Sequence, residues 1–179
     1  MAKKRFLRVR RVTTVLSMRG SFGPAVMKGV FSHPAAAVWG IQMIRTAEEF
    51  TVDVIRTALD HKTDGFIVAI EDAPAGAFAH LVSESIPFVT VDSYVPALEK
   101  RSAGAAFVRI DNHDVGRVAA QSFLAQGRFV SFAFVPPSHP HEWSRRREEG
   151  FRSVLDRREL FCETFFVPPT EHLIGEQYV

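Results

Sequence analysis

The chain has 179 residues, of which 46% are hydrophobic and 23% charged, and its formal net charge is +2. This composition is globular and excludes a disordered or fibrous chain. The single cysteine, Cys162, excludes an internal disulfide framework and is typical of a reducing compartment. The first dozen residues lack the apolar core of a signal peptide, and no apolar run reaches the roughly 18 residues of a membrane span. We therefore expect a soluble, cytoplasmic protein without membrane contact.

Strand-like and helix-like patterns alternate along the chain. The apolar strand patterns cover residues 9–16, 38–44, 66–70, 86–91, 105–110, 129–135 and 161–167. Helical patterns cover residues 24–31, 74–83, 112–126 and 143–158, and a further helix carries an apolar stripe from Phe50 to Leu59. Thr46 is the predicted N-cap of that further helix, because Glu48 and Glu49 then lie in its first turn.

Strands that alternate with helices predict an α/β fold, with a parallel sheet and helices on both of its faces. Ligands of such sheets bind beyond the carboxyl ends of the strands. The loops at that rim are residues 17–23, 71–74, 92–94, 111–114 and 136–147. We place a first lobe at residues 1–110, and the crossover with an incomplete second lobe at residues 111–179.

Two of the rim loops carry the most specific chemistry. Asp111 and Asn112 form an acid–amide corner, whereas Trp143 and Arg147 belong to a cationic and aromatic loop. Carboxylate, amide and guanidinium groups hold hydroxyl groups by hydrogen bonds, and an indole ring can stack on the apolar face of a sugar. Neither loop contains a nucleophile with its base or a cluster of metal ligands. The two loops predict a site for a polyhydroxylated small molecule, and a sensor rather than a catalyst.

Each of these side chains also has a purely structural explanation. Asp111 and Asn112 are both residue types that cap helices. Arg147 can be solvated or can pair with one of the two glutamates that follow it. Trp143 can pack on its own lobe where the helix begins. The sequence leaves both explanations open for each residue.

The same stretch resembles a known family. It reads "Val-x-Ile-Asp-Asn-x-x-x-Gly-x-x-Ala-Ala-x-x-Phe-Leu-x-x-Gly" from Val108 and, after an apolar strand, "Trp-Ser-Arg-Arg-Arg-Glu-Glu-Gly-Phe-Arg" from Trp143. It resembles the periplasmic-binding-protein-like effector domains of the lac-repressor type. More narrowly, it is similar to the sensor domains of AraC-type xylose operon regulators. The resemblance spans residues 12–167 and is most specific from Asp111 to Phe151.

This resemblance implies two α/β lobes joined by a hinge, with a sugar, xylose or a related pentose, in the cleft between them. Arg147 matches the arginine that related sensors use to hold ligand hydroxyls. Asp111 lies where the family favours a carboxylate that accepts hydrogen bonds from the sugar, and Asn112 follows it.

The resemblance also implies ligand contacts from the first lobe. Ser17, Arg19 and Phe22 lie in the first loop, where related sensors contact ligand, and ordinary loop packing is the alternative. Glu71 follows the third strand and is either an acid at the rim or a helix cap.

Partners follow from the same resemblance. We expect DNA binding only through a module that this chain does not contain, because no recognition helix is recognisable in it. In this family the first lobe usually receives a late strand and helix from the second; without them an exposed sheet edge would invite pairing with another copy, so we expect a homodimer. Two alternatives remain: a half-sensor that acts only through dimerisation, and a flavodoxin-like α/β enzyme or nucleotide binder that uses the same rim.

Signatures of catalysis and of metal binding are weak. His139 and His141 flank a proline at a spacing that does not form a helical metal pair. The sequence contains no Gly-x-Ser-x-Gly elbow, dinucleotide fingerprint or P-loop. We therefore expect no enzyme activity, no cofactor and no metal ion.

Overall fold

A computed structural model describes residues 9–18, 20–70, 74–93, 104–127, 129–138 and 141–166. The chain divides between Arg109 and Ile110 into two compact units. No helix in the described ranges is long and apolar enough to cross a membrane.

The first unit contains a parallel sheet of five strands. The strands are β1 (Arg10–Leu16), β2 (Trp39–Ile44), β3 (Gly65–Ala69), β4 (Phe88–Val91) and β5 (Ala105–Val108). Their connections contain the helices α1 (Phe22–Ser32), α2 (Val52–Asp60) and α3 (Ala75–Ser83), and a 3-10 helix at Pro34–Val38. The spatial order is β2-β1-β3-β4-β5, and every neighbouring pair is parallel.

This strand order places helices on both faces of the sheet, as predicted. The chain moves from β1 outward to β2 and then crosses back to β3 on the other side of β1. Because parallel crossovers are right-handed, this reversal moves the connecting helices to the opposite face. Leu16 and Ala69 accordingly pack with Met27 of α1. Their strand neighbours Val15 and Val68 pack with the side chains of α2 and α3.

Phenylalanine rings fill the core beneath α2 and α3. Phe50, Phe66 and Phe78 are almost completely buried. The Phe50 and Phe78 rings meet edge to face, with centroids 5.7 Å apart. Such pairs stabilise a fold by about 0.5–1.5 kcal/mol beyond the burial of their area. The predicted apolar stripe from Phe50 to Leu59 therefore does face the sheet.

The predicted N-cap of α2 is wrong. Thr51, and not Thr46, caps the helix, because its Oγ1 accepts a hydrogen bond from the Val54 amide at 3.3 Å. Thr46 instead closes a separate turn, in which its Oγ1 accepts from the Glu49 amide. Phe50 explains the difference: it is buried directly before the cap and belongs to the same cluster as Ile55, as in a hydrophobic staple.

Other boundaries also differ from the predicted ones. Helix α1 begins at Phe22 rather than at residue 24, so Phe22 lies in its first turn and not in the loop. The 3-10 helix at Pro34–Val38 was not predicted, and it takes Val38 out of β2. Strands β4 and β5 are shorter than their apolar runs. Ile86 and Ile110 continue those runs beyond the ladder, where periodicity alone cannot find the end of a strand.

The second unit is an α/β layer with a two-stranded sheet. It contains α4 (Asn112–Ala125), β6 (Ser131–Phe134), α5 (Glu142–Asp156) and β7 (Phe161–Thr164), and the two strands pair in parallel. Both helices contribute to one core, whose buried residues are Ala120, Phe151, Leu155 and Cys162. The centroid of the Phe151 ring lies 6.1 Å from that of Phe132 and 6.4 Å from that of Phe134, both on β6.

The other face of this sheet is exposed. Side chains alternate along β7 and its extension, so Cys162 points to the core whereas Phe161 and Phe165 point away from it. Phe161 is 67% exposed and Phe165 51% exposed. Parallel sheets are normally covered on both faces. Within the described part of the second unit, helices cover only one.

Candidate functional site

Asp111 and Asn112 begin α4 as a cap and a first helical residue. The exposed Asp111 side chain accepts a hydrogen bond from the Asp114 amide, with 2.9 Å between Oδ1 and N. Asn112 is only 6% exposed. Its Nδ2 donates to the Ile110 carbonyl at 3.4 Å, and its Oδ1 accepts from Nε of Arg147 at 2.9 Å. The capping explanation therefore holds for Asp111, whereas Asn112 also contacts another helix.

Arg147 is half-buried and held at two points. Besides the bond from its Nε to Asn112, its guanidinium carbon lies 4.7 Å from the centre of the Trp143 ring. Its two terminal nitrogens have no hydrogen-bond or ion-pair partner among the described residues. The alternative of a salt bridge to a following glutamate is not observed, because Glu148 pairs with Arg152 and Glu149 lies 4.0 Å from Arg145.

Two helical glycines allow Asn112 and Arg147 to meet. A Cβ atom on Gly116 would lie 1.9 Å from the Arg147 carbonyl oxygen, and one on Gly150 would lie 1.9 Å from the His113 carbonyl oxygen. No other residue fits at these two positions without moving a helix. Sequence reasoning missed this contact. The available signal was a glycine inside each of two otherwise regular helical patterns.

Trp143 contacts two groups near the start of α5. Its ring stacks on the ring of His141, the N-cap residue, with centroids 6.0 Å apart and an interplanar angle of 13°. The Arg147 guanidinium lies over the same ring. Trp143 is half-buried, so part of its surface faces solvent.

Glu142 organises the other two arginines of this segment. Its carboxylate accepts hydrogen bonds from Arg145 and, at 2.8 Å, from Nε of Arg146. Hydrogen bonding from Arg145 lowers the pKa of Glu142 below its ordinary value of 4.5, against an opposing effect of burial, and Arg146 lowers it further. Of the three consecutive arginines at positions 145–147, Arg147 is therefore the one that does not pair with the Glu142 carboxylate.

The rim of the first unit carries the remaining predicted residues. Ser17 is half-buried. A Cβ atom on Gly23 would lie only 1.8 Å from the Ser17 carbonyl oxygen. Phe22 is 44% exposed in the first turn of α1. Arg19 and Glu71 lie outside the described residues. The loops that contain them follow β1 and β3, the adjacent strands between which the direction of winding reverses, where open α/β sheets bind ligands.

Ser93 also lies at the rim of the first unit, and sequence reasoning did not single it out. It is 1% exposed, and its Oγ accepts from the Ile70 amide at 3.2 Å and donates to the Val68 carbonyl at 3.3 Å. The preceding residue, Asp92, has a left-handed backbone, with φ of 52°. Ser93 thus links the end of β4 to the end of β3 by hydrogen bonds. The linked end of β3 directly precedes Glu71 in the sequence.

Metal binding finds no support in the described ranges, which contain no group of three or more His, Cys, Asp or Glu side chains that could hold an ion. Of the two histidines that flank a proline, His139 lies outside those ranges.

Comparison with known proteins assigns the family. A family described as "Periplasmic binding protein domain" matches residues 45–169, which is well over half of the chain. The chain belongs to the periplasmic binding protein domain family. A search among curated proteins gives no significant match.

Solved structures share the fold of this periplasmic binding protein domain. A LacI-family regulator from Silicibacter pomeroyi is 21% identical, with a TM-score of 0.65 over 89% of this chain and 48% of its own. The glucose-galactose binding protein GanP from Geobacillus stearothermophilus is 17% identical, with a TM-score of 0.67 over 88% of this chain and 59% of its own. A LacI-family regulator from Enterococcus faecium, solved with ribose, is 23% identical, with a TM-score of 0.67 over 89% and 58%. The chain thus spans only about half to three fifths of these proteins.

Of the predicted site residues, Asn112, Trp143 and Arg147 form one contacting cluster, with Asp111 next to it in sequence. Ser17 and Phe22 belong to the other unit.

Proposed function

We propose that this periplasmic binding protein domain binds a sugar and serves as the effector-sensing part of a transcriptional regulator. The observation that carries the proposal is the state of Arg147: it is half-buried and fixed by Asn112 and Trp143, yet both of its terminal nitrogens are unpaired within the described structure. A guanidinium fixed in this way presents a rigid pair of donors, which suits two neighbouring hydroxyl oxygens.

Solved structures with the same fold support a sugar as the class of ligand. Ribose is bound to the regulator from Enterococcus faecium, and sucrose to a LacI-family regulator from Lactobacillus casei. GanP is described as a glucose-galactose binding protein. These descriptions name binding proteins and regulators, which supports sensing rather than catalysis.

The finer assignment is a pentose sensor. We propose xylose or a close relative as the ligand, and an AraC-type regulator as the parent protein, on the resemblance of the stretch from Asp111 to Phe151 to xylose operon regulators. Asp111, Ser17, Phe22, Arg19 and Glu71 are the further proposed ligand contacts. A cytoplasmic location, homodimerisation, and DNA binding through a module other than this chain are part of the same proposal.

Thermal denaturation with a panel of pentoses and hexoses tests the proposal. A ligand that binds only the folded state at 100 times its Kd stabilises that state by about 2.7 kcal/mol, so the melting temperature rises. The variant Arg147→Ala should have a lower melting temperature without sugar, because the buried Asn112 amide loses its donor, and it should show no further rise when sugar is added. Arg145→Ala, on the same helix, is the matched control and should keep the rise.

A flavodoxin-like nucleotide binder is the second candidate, and one observation favours it. The order β2-β1-β3-β4-β5 is also the order of flavodoxin-like sheets, which bind FMN beside the first and third strands. FMN, ATP and NAD therefore belong in the same panel. Stabilisation by one of these, with no response to any sugar, would overturn the sugar-sensing proposal.

A further inference from the structure

We infer that Trp143 acts by holding the Arg147 guanidinium in place, and that it is not the surface on which the sugar stacks. This inference deepens the proposed function and rests on it for the role of Arg147. It changes the role of Trp143 from a ligand contact to a positioning residue.

The helix itself brings the two side chains together. Trp143 and Arg147 lie four residues apart on α5, and therefore on the same helical face. Helical side chains point back towards the N-terminus, so the Arg147 side chain extends over the turn that carries Trp143. The distance of 4.7 Å from the guanidinium carbon to the ring centre is well within the range of about 6 Å for a cation–π contact.

The ring is already in contact with its own segment. His141 stacks on it nearly in parallel, and the Arg147 guanidinium lies over it. A sugar that stacked on the Arg147 side of the ring would have to displace the guanidinium. The same guanidinium is hydrogen-bonded to the buried Asn112, so this displacement would also leave a buried amide oxygen without its donor.

Two contacts fix the guanidinium where one would not. The hydrogen bond to Asn112 fixes the position of Nε, but it leaves the plane of the group free to turn. The indole ring of Trp143 removes that freedom, because the guanidinium lies over it. Asn112 is itself fixed by its bond to the Ile110 carbonyl. The unpaired edge of Arg147 therefore points in one direction before any ligand arrives, which lowers the entropy lost on binding.

The first test needs no ligand. In ¹⁵N-labelled protein, the Arg147 Nε–Hε resonance should show a ring-current shift in the free wild type. Trp143→Leu should abolish this shift, Trp143→Phe should keep part of it, and Trp39→Leu, the same change in the first unit, should leave it unaltered. Circular dichroism confirms that each variant is folded. An Arg147 resonance that is the same in the wild type and in Trp143→Leu overturns the inference.

The second test is a double-mutant cycle on sugar affinity, with the sugar that responds most strongly in the thermal panel. Trp143→Leu should weaken binding by about two- to tenfold, the range expected from losing one cation–π contact. In the Arg147→Lys background the same substitution should cause little further loss, because the group it positions is gone. An equal loss in both backgrounds would mean that Trp143 contacts the sugar directly. If the wild type binds no sugar at all, the proposed function fails, while the resonance of Arg147 in the free protein still decides whether Trp143 holds it.

Discussion

Asn112 uses both ends of its buried amide. Its nitrogen bonds a carbonyl of its own chain segment, and its oxygen bonds the side chain of Arg147, 35 positions away. Buried polar groups are costly unless they are paired, so this amide and this guanidinium need each other. The arrangement explains why the functional group of Arg147 remains available while its neighbours Arg145 and Arg146 are engaged by Glu142.

Glu142 gives the protein a predictable response to acid. Its folded pKa is lowered, chiefly by hydrogen bonding from Arg145, so its ionised form stabilises the folded state. That contribution is complete above the ordinary value of 4.5 and is lost as the pH falls through the lower folded pKa. Glu142→Gln should therefore lower the free energy of unfolding near neutral pH. The difference in this free energy between the variant and the wild type should become smaller as the pH falls.

Urea unfolding measured at about pH 7 and about pH 3 checks this response. Glu84→Gln, which changes an exposed glutamate at the end of α3, is the control. Its difference from the wild type in unfolding free energy should not decrease in the same way between the two pH values. A difference between wild type and Glu142→Gln that stays constant over this range contradicts the proposed linkage.

At the level of the elements, the second unit depends on how closely α4 and α5 approach. Gly116 and Gly150 each face a carbonyl oxygen of the other helix. This reciprocal contact, rather than any side-chain pair, sets the distance between the two helices. It therefore also sets the distance between Asn112 on one helix and Arg147 on the other.

Gly116→Ala and Gly150→Ala should each destabilise the second unit. The added methyl group would lie 1.9 Å from a backbone oxygen, so one helix must move. Overpacking of this kind typically costs about 1–3 kcal/mol, which exceeds the roughly 1 kcal/mol by which alanine improves helix propensity. Both variants should also disturb the hydrogen bond from Nε of Arg147 to Asn112, because Asn112 lies on α4 and Arg147 on α5.

Gly76→Ala is the control for this prediction. Gly76 lies inside α3, and a Cβ at that position would have nothing within 4 Å. The same substitution should therefore be neutral or stabilising there. Chemical denaturation of the three variants provides the comparison. An equal change in unfolding free energy at all three positions would show that the close contact between α4 and α5 does not determine the effect of the added methyl group.

At the level of the whole molecule, the two units have very different cores. Among the described residues, the first unit contains the large cluster around Phe50, Phe66 and Phe78. In the described part of the second unit, the buried hydrophobic residues of the cluster are Ala120, Phe151, Leu155 and Cys162. A two-stranded sheet is marginal by itself, and one face of this one is exposed.

Hydrogen exchange should reflect this inequality. We expect the amides of β6 and β7 to exchange faster than those of β1 and β3, because local opening in the second unit exposes less buried apolar surface. Native-state exchange followed by NMR or mass spectrometry measures the two rates. Equal protection in both sheets would show that the two units unfold as one.

Patterns local in sequence predicted most of the fold. Strand–helix alternation predicted the parallel sheet, and the residue type of Asp111 was enough to propose a cap. The N-cap of α2 was misplaced, because the burial of Phe50 decides between Thr46 and Thr51, and burial is a tertiary property. The contact from Asn112 to Arg147 was missed for the same reason, since it joins positions that are distant in sequence; the glycines at 116 and 150 were the one local signal of the close approach beneath it.

The position of β1 within the sheet has a consequence for synthesis. Although it is the first strand along the chain, it lies between β2 and β3 and is buried over Thr13–Leu16. A nascent chain therefore carries this apolar segment without either partner until residues 39–44, and later residues 65–69, have left the ribosome. Unpaired apolar strands of this kind are where aggregation begins and where chaperones bind. An interior strand of the finished sheet is thus left without partners while the chain emerges.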